Sequence, residues 1–123
     1  MSTGGPGVRW FAWRAVREAL DYGRTGGIAL HRFRHDLRPF GLGTFEPACH
    51  MLSADRATLV EFGARFGLRP AWLEPPRSHR PDIWHFDLFG AVLRELEAAY
   101  PPPEEVLRAS ERREAGTDSD TTE

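Results

Sequence analysis

The sequence predicts an α+β fold: a small, helix-dominated single domain with two or three short strands. Three observations predict it. The chain has 123 residues, enough for one modest core. Apolar residues recur at helical spacing in three separate stretches. Between those stretches, near Ile28, Cys49 and Trp84, lie short runs with strand-like composition.

Met1 to Gly7 is Gly, Pro, Ser and Thr, and is expected to be disordered. From Val8 to Tyr22, Trp10, Trp13, Val16 and Leu20 suit one face of a first helix, with Gly23 as its stop. Thr25-Gly26-Gly27 reads as a turn, and Ile28 to Phe33 as a short strand. The two glycines lack the Lys and further glycines of a phosphate loop. An irregular, Gly-rich connection then runs from Asp36 to Pro47.

Cys49 to Leu52 suits a buried strand or the lead-in to a helix. Ser53 reads as the N-cap of that helix, with Asp55 in its first turn. Leu59, Phe62, Gly63 and Phe66 form its apolar face, and Gly67 is its left-handed stop. Arg69 to Glu74 reads as a second short helix that Pro75-Pro76 ends. Asp87 is expected to cap a last helix whose face is Phe89, Val92, Leu93, Leu96 and Tyr100. Pro101-Pro102-Pro103 stops it, so the globular unit is placed at 8–100 and the frayed, acidic tail at 101–123.

Composition excludes some functions. Net charge is −2, which gives no electrostatic case for nucleic acid or an anionic membrane. All sixteen basic residues are arginine, and Lys, Asn and Gln are absent, a bias that a GC-rich genome explains. The lone Cys49 excludes an internal disulfide and fits the cytoplasm. The helix–turn–helix outline of 53–74 lacks a basic recognition helix, so DNA reading is disfavoured.

The residues with chemical potential are the histidines and their neighbours. His50 and His85, with Asp87 and Cys49, offer ligand types that zinc or another divalent first-row metal accepts. Thirty-five positions separate the two histidines, so only the fold can bring them together. A His–Asp pair also suits general acid–base work. His85 and Asp87 are expected on opposite faces of an extended segment, which favours the capping role for Asp87. Arg38 suits an anion, whereas Arg77, His79 and Arg80 read as solvated loop charges. Cys49 reads as an inert buried thiol.

Several of these residues fall into an ordered series. Asp36-x-Arg38-Pro39-Phe40-Gly41, Cys49-His50-Met51, the helix ending at Gly67-Leu68, Trp72-Leu73-Glu74 and His85-Phe86-Asp87-Leu88 follow one another. The series resembles the domain-of-unknown-function 4031 family of short bacterial and phage proteins, over about Asp36 to Leu88. The chain departs from that family's pattern at Val60, where members carry a histidine, at Leu73-Glu74, at Phe86 and after Asp87, where basic residues are missing. The resemblance implies no activity. It raises Asp36, Arg38, His50, His85 and Asp87 above their neighbours. The catalytic candidates are His50, His85 and Asp87, and the ligand-binding ones Asp36, Arg38, Trp72 and Glu74.

The expectation is therefore a small-ligand-binding or hydrolase-like site built from His50, His85 and Arg38, in which the two histidines act either as proton carriers or as ligands of a divalent metal; the cofactor itself stays open. The alternative is a non-catalytic protein-interaction module using its Trp-rich and Pro-rich surfaces.

Overall fold

The computed structural model describes residues 7–36 and 45–109. Residues 1–6 of the expected disordered N-terminus, most of the Gly-rich connection with Arg38, and residues 110–123 of the expected tail lie outside the described residues.

The elements in order are β1 (Val8–Phe11), α1 (Val16–Arg24), β2 (Ile28–Asp36), β3 (Phe45–Ser53), α2 (Arg56–Ala64), β4 (Trp84–Phe89) and α3 (Gly90–Ala99). A 3-10 turn spans Pro70–Trp72, and residues 104–109 are helical. The four strands form one mixed sheet in the order β1-β2-β3-β4. β1 runs parallel to β2, and the other two pairings are antiparallel.

This corrects the helix-dominated expectation with its two or three short strands: the sheet is the centre of the molecule. The expected first helix divides in two. Val8–Phe11 is a strand because Val8 pairs with Ile28 and Trp10 with Leu30, and α1 starts only at Val16. Local periodicity could not reveal this, since the pairing partner lies twenty residues on. The two central strands each have nine residues, extending into the stretch read as irregular.

Alternation along the strands sorts side chains to two faces. One face carries Ile28, Leu30, Cys49, Met51, Phe86 and Leu88, and α2 and α3 cover it with Leu59, Phe62, Leu93 and Leu96. Full burial of each such side chain is worth roughly 1.5–3 kcal/mol, so this layer is the main core. The opposite face carries Phe11, Ala29 and Leu52, packed against Ala19 and Leu20 of α1 and against Ile83. Close approach is required here: a Cβ at Gly23 would lie 2.7 Å from Leu52 Cδ1.

Ends and corners follow from local chemistry. Asp55, rather than the expected Ser53, caps α2, its carboxylate accepting from Thr58 N at 3.0 Å. Ser53 belongs to β3, and its hydroxyl accepts from Asp55 N. Gly67 has φ +81°, the left-handed stop expected from sequence. The indoles of Trp10 and Trp13 donate to the carbonyls of Tyr100 (2.7 Å) and Ala109 (3.1 Å), fastening β1 and the turn after it to the far end of the described chain. Val106 is buried beside them in sequence. Among the described residues, no helix is long and apolar enough to cross a membrane.

Candidate metal centre

The site lies where α1 leaves its face of the sheet uncovered. β3 places His50 directly opposite His31 of β2 and Asp87 of β4, and places Leu52 opposite His85. His50, His85 and Asp87 therefore share one face. The expectation that His85 and Asp87 point opposite ways is corrected by the period of a strand: residues two apart lie on the same side. Asp87 is also not a helix cap. α3 begins after Phe89, with no side-chain cap, and the Asp87 carboxylate turns to the histidines instead.

The geometry is compact. Asp87 Oδ1 lies 3.3 Å from His50 Nε2 and 3.4 Å from His85 Nε2. One ligand atom from each of the three residues falls within 4.8 Å of the others. Donors about 2.0–2.1 Å from a tetrahedral zinc stand about 3.3–3.4 Å apart, so the two contacts to Asp87 already match a metal's demands. The His50 and His85 rings meet edge to face with centroids 5.3 Å apart.

Neighbours hold these groups in place. The His50 ring packs tilted against Phe33, centroids 4.5 Å apart, and stacks on His31 at 5.9 Å. His31 is buried, with Nε2 2.9 Å from the Trp13 carbonyl oxygen, and its ring nitrogens do not join the three converging ligand atoms. His85 is fixed through its backbone, which exchanges two hydrogen bonds with Glu74. Glu74 thus serves by its main chain. Trp72 lies on the 3-10 turn, half exposed, with the Arg69 guanidinium 5.8 Å from its ring. Asp36 closes β2 at its pairing with Phe45, and Arg38 lies outside the described residues.

Electrostatics favour a neutral His50. Burial pushes its imidazole down to about 4, and nearby His85, His31 and Arg80 act in the same direction. Asp87 opposes this without prevailing, so the contact joins a neutral ring to a carboxylate. Asp87 itself is held below the usual carboxylate range, chiefly by its hydrogen bond with His85 and despite partial burial. A neutral imidazole and an ionised carboxylate are the protonation states a metal needs. Cys49 belongs to the other face, and burial pushes its thiol up.

The three residues open into a cleft of about 290 Å³ whose walls include Arg77, His79 and Arg80. A second cleft, of about 230 Å³, shares His50 and Asp87 but is walled by Phe33, Ala48 and Phe89. Sequence reasoning named His50, His85 and Asp87 but missed His31, Phe33 and Phe89. The alternation Ala29, His31, Phe33 along one strand was the available signal. No family model, curated protein or solved structure significantly matches this chain.

Proposed function

We propose that this protein binds one divalent first-row metal through His50, His85 and Asp87 and uses it in a hydrolase-like reaction on a small molecule. The observation that carries the proposal is the convergence of three ligand atoms within 4.8 Å at the floor of a cleft. Two imidazoles and one carboxylate leave coordination positions open, as a catalytic rather than structural centre requires. A metal there would polarise a substrate oxygen or lower the pKa of a bound water toward neutrality. The proposed setting is the cytoplasm, which suits the single free thiol. Kinship with the domain-of-unknown-function 4031 family, on the motif series from Asp36 to Leu88, forms part of the same proposal.

The interaction-module reading has less support. Trp10 and Trp13, its expected contact surface, use their indole N–H groups inside the molecule.

The test is metal content by mass spectrometry on purified protein and on His50→Ala and His85→Ala variants. About one equivalent in the parent and a loss in both variants is expected. Equal content in all three samples would overturn the proposal.

A further inference from the structure

The walls of the site are chemically unlike on its two sides. On one side, Arg77 and Arg80 pair across a tight turn, Arg80 N donating to Arg77 O at 2.8 Å. Opposed residues of an antiparallel bridge send their side chains to the same side. Both line the larger cleft. Among the described residues, neither has a carboxylate within ion-pair distance, whereas Arg24 and Arg32 each do. Among the described residues Asp87 is the acid lining that cleft, and in the proposed centre it is committed to the metal. A bound divalent ion, less Asp87 and plus two guanidiniums, leaves roughly three positive charges facing the cleft. That charge calls for an oxyanion.

On the other side, the cleft of Phe33, Ala48 and Phe89 offers apolar surface beside the same His50 and Asp87. Phe89 is 64% exposed, which is unusual for a large apolar side chain and leaves its ring available to a ligand. A cavity of about 150 Å³ suffices for benzene, so 230 Å³ accommodates a group of that size. The two clefts meet at the metal-binding residues.

We infer that the substrate is a carboxylate or phosphate bearing an apolar, ring-sized group, with its oxyanion between the metal and Arg77/Arg80 and its apolar end against Phe33 and Phe89. This rests on the metal-centre reading above. Arg77, His79 and Arg80 thereby change from the solvated charges expected from sequence to the recognition element of the site. Guanidinium forks suit carboxylate and phosphate oxygens in particular.

Calorimetric titration of the full chain, loaded with the metal it retains, tests this with four probes: phenylphosphonate, methylphosphonate, benzoate and benzyl alcohol. Phenylphosphonate is expected to bind at least tenfold tighter than methylphosphonate, and benzyl alcohol at least a hundredfold weaker than phenylphosphonate. Benzoate against phenylphosphonate ranks carboxylate against phosphate. The double variant Arg77→Met/Arg80→Met should lose tenfold or more toward phenylphosphonate at unchanged metal content. Phe89→Ser, at an exposed position, should bring phenylphosphonate down to the affinity of methylphosphonate and leave the latter unchanged.

Benzyl alcohol binding as tightly as phenylphosphonate, or a double variant equal to the parent, would overturn the oxyanion assignment. Equal affinity for phenyl- and methylphosphonate would overturn the apolar one. If the parent retains no metal, the centre itself fails. The metal-free protein then decides the remainder: phenylphosphonate binding that depends on Arg77 and Arg80 upholds oxyanion recognition, and its absence removes that as well.

Discussion

His50 and Asp87 sit directly opposite one another on β3 and β4, with Nε2 and Oδ1 3.3 Å apart. The sheet register, rather than a loop, sets this spacing, so the pair is held by the backbone hydrogen bonds of two paired strands. Asp87→Asn keeps the shape and removes the charge. Losing an outer-shell partner of a metal ligand costs about 10–100-fold in affinity, so losing this carboxylate should cost at least about 100-fold. Competition against a chromophoric chelator measures it, and an unchanged affinity would exclude Asp87 as a ligand.

The metal-free protein should lose stability in two separate pH windows. His50 stays neutral in the fold down to about 4, while the unfolded chain takes up that proton near the ordinary value of 6.5. Its contribution is complete above pH 6.5 and declines as pH falls toward 4. The Asp87 carboxyl, held below its ordinary 3.8, contributes above that pH and is lost only in stronger acid. Urea midpoints measured in chelator from pH 8 to 3 should show both declines. His50→Phe, which keeps a ring against Phe33, should flatten the first and leave the second.

Arg32 Nε meets Glu97 Oε2 at 2.7 Å, joining β2 to α3 with side chains only 10% and 23% exposed. Removing one partner strands the other, so Glu97→Gln should cost roughly 3 kcal/mol, the low end for a buried pair. The double variant Arg32→Leu/Glu97→Leu should be more stable than Glu97→Gln alone. Denaturant unfolding of the single and double variants decides it.

Cys49 is fully buried, and burial, with Glu97 adding to it, pushes its thiol up. The folded protein should therefore resist a disulfide reagent at pH 8 and react with one equivalent after unfolding in denaturant. Rapid labelling of the native state would contradict the placement of Cys49 in the core.

At Gly63 an added Cβ would lie 2.8 Å from the Phe86 ring and 3.3 Å from Leu68 Cδ1. Gly63→Ala, although favourable for an isolated helix, should destabilise by about 1–3 kcal/mol through overpacking. A raised thermal midpoint would show that the ring moves aside freely.

What could be read from the sequence was what is local. The Leu59–Phe62–Gly63 face and the Gly67 stop announce α2 because helix periodicity and a left-handed glycine are properties of adjacent residues. The strand character near Cys49 and Trp84 was legible for the same reason. β1 was not legible. Its four residues become a strand only by pairing with β2, and Trp10 and Trp13 fit a helical stripe equally well. The site divides along the same line. His50 and His85 could be singled out as residue types, yet their meeting depends on register between strands thirty-five positions apart. Asp87 was assigned to a cap because its place ahead of an apolar helix resembles one. The structure gives it to the sheet face, where two imidazoles offer it partners that a helix end does not.

The fastening of Trp10 to Tyr100 and of Trp13 to Ala109 has a bearing on how the chain matures on the ribosome. β1 is made well before the carbonyl that anchors it, so its edge of the sheet must wait, unclasped, through about ninety residues of further synthesis. Nascent chains halted before Tyr100 would hold β1 by its pairing with β2 alone.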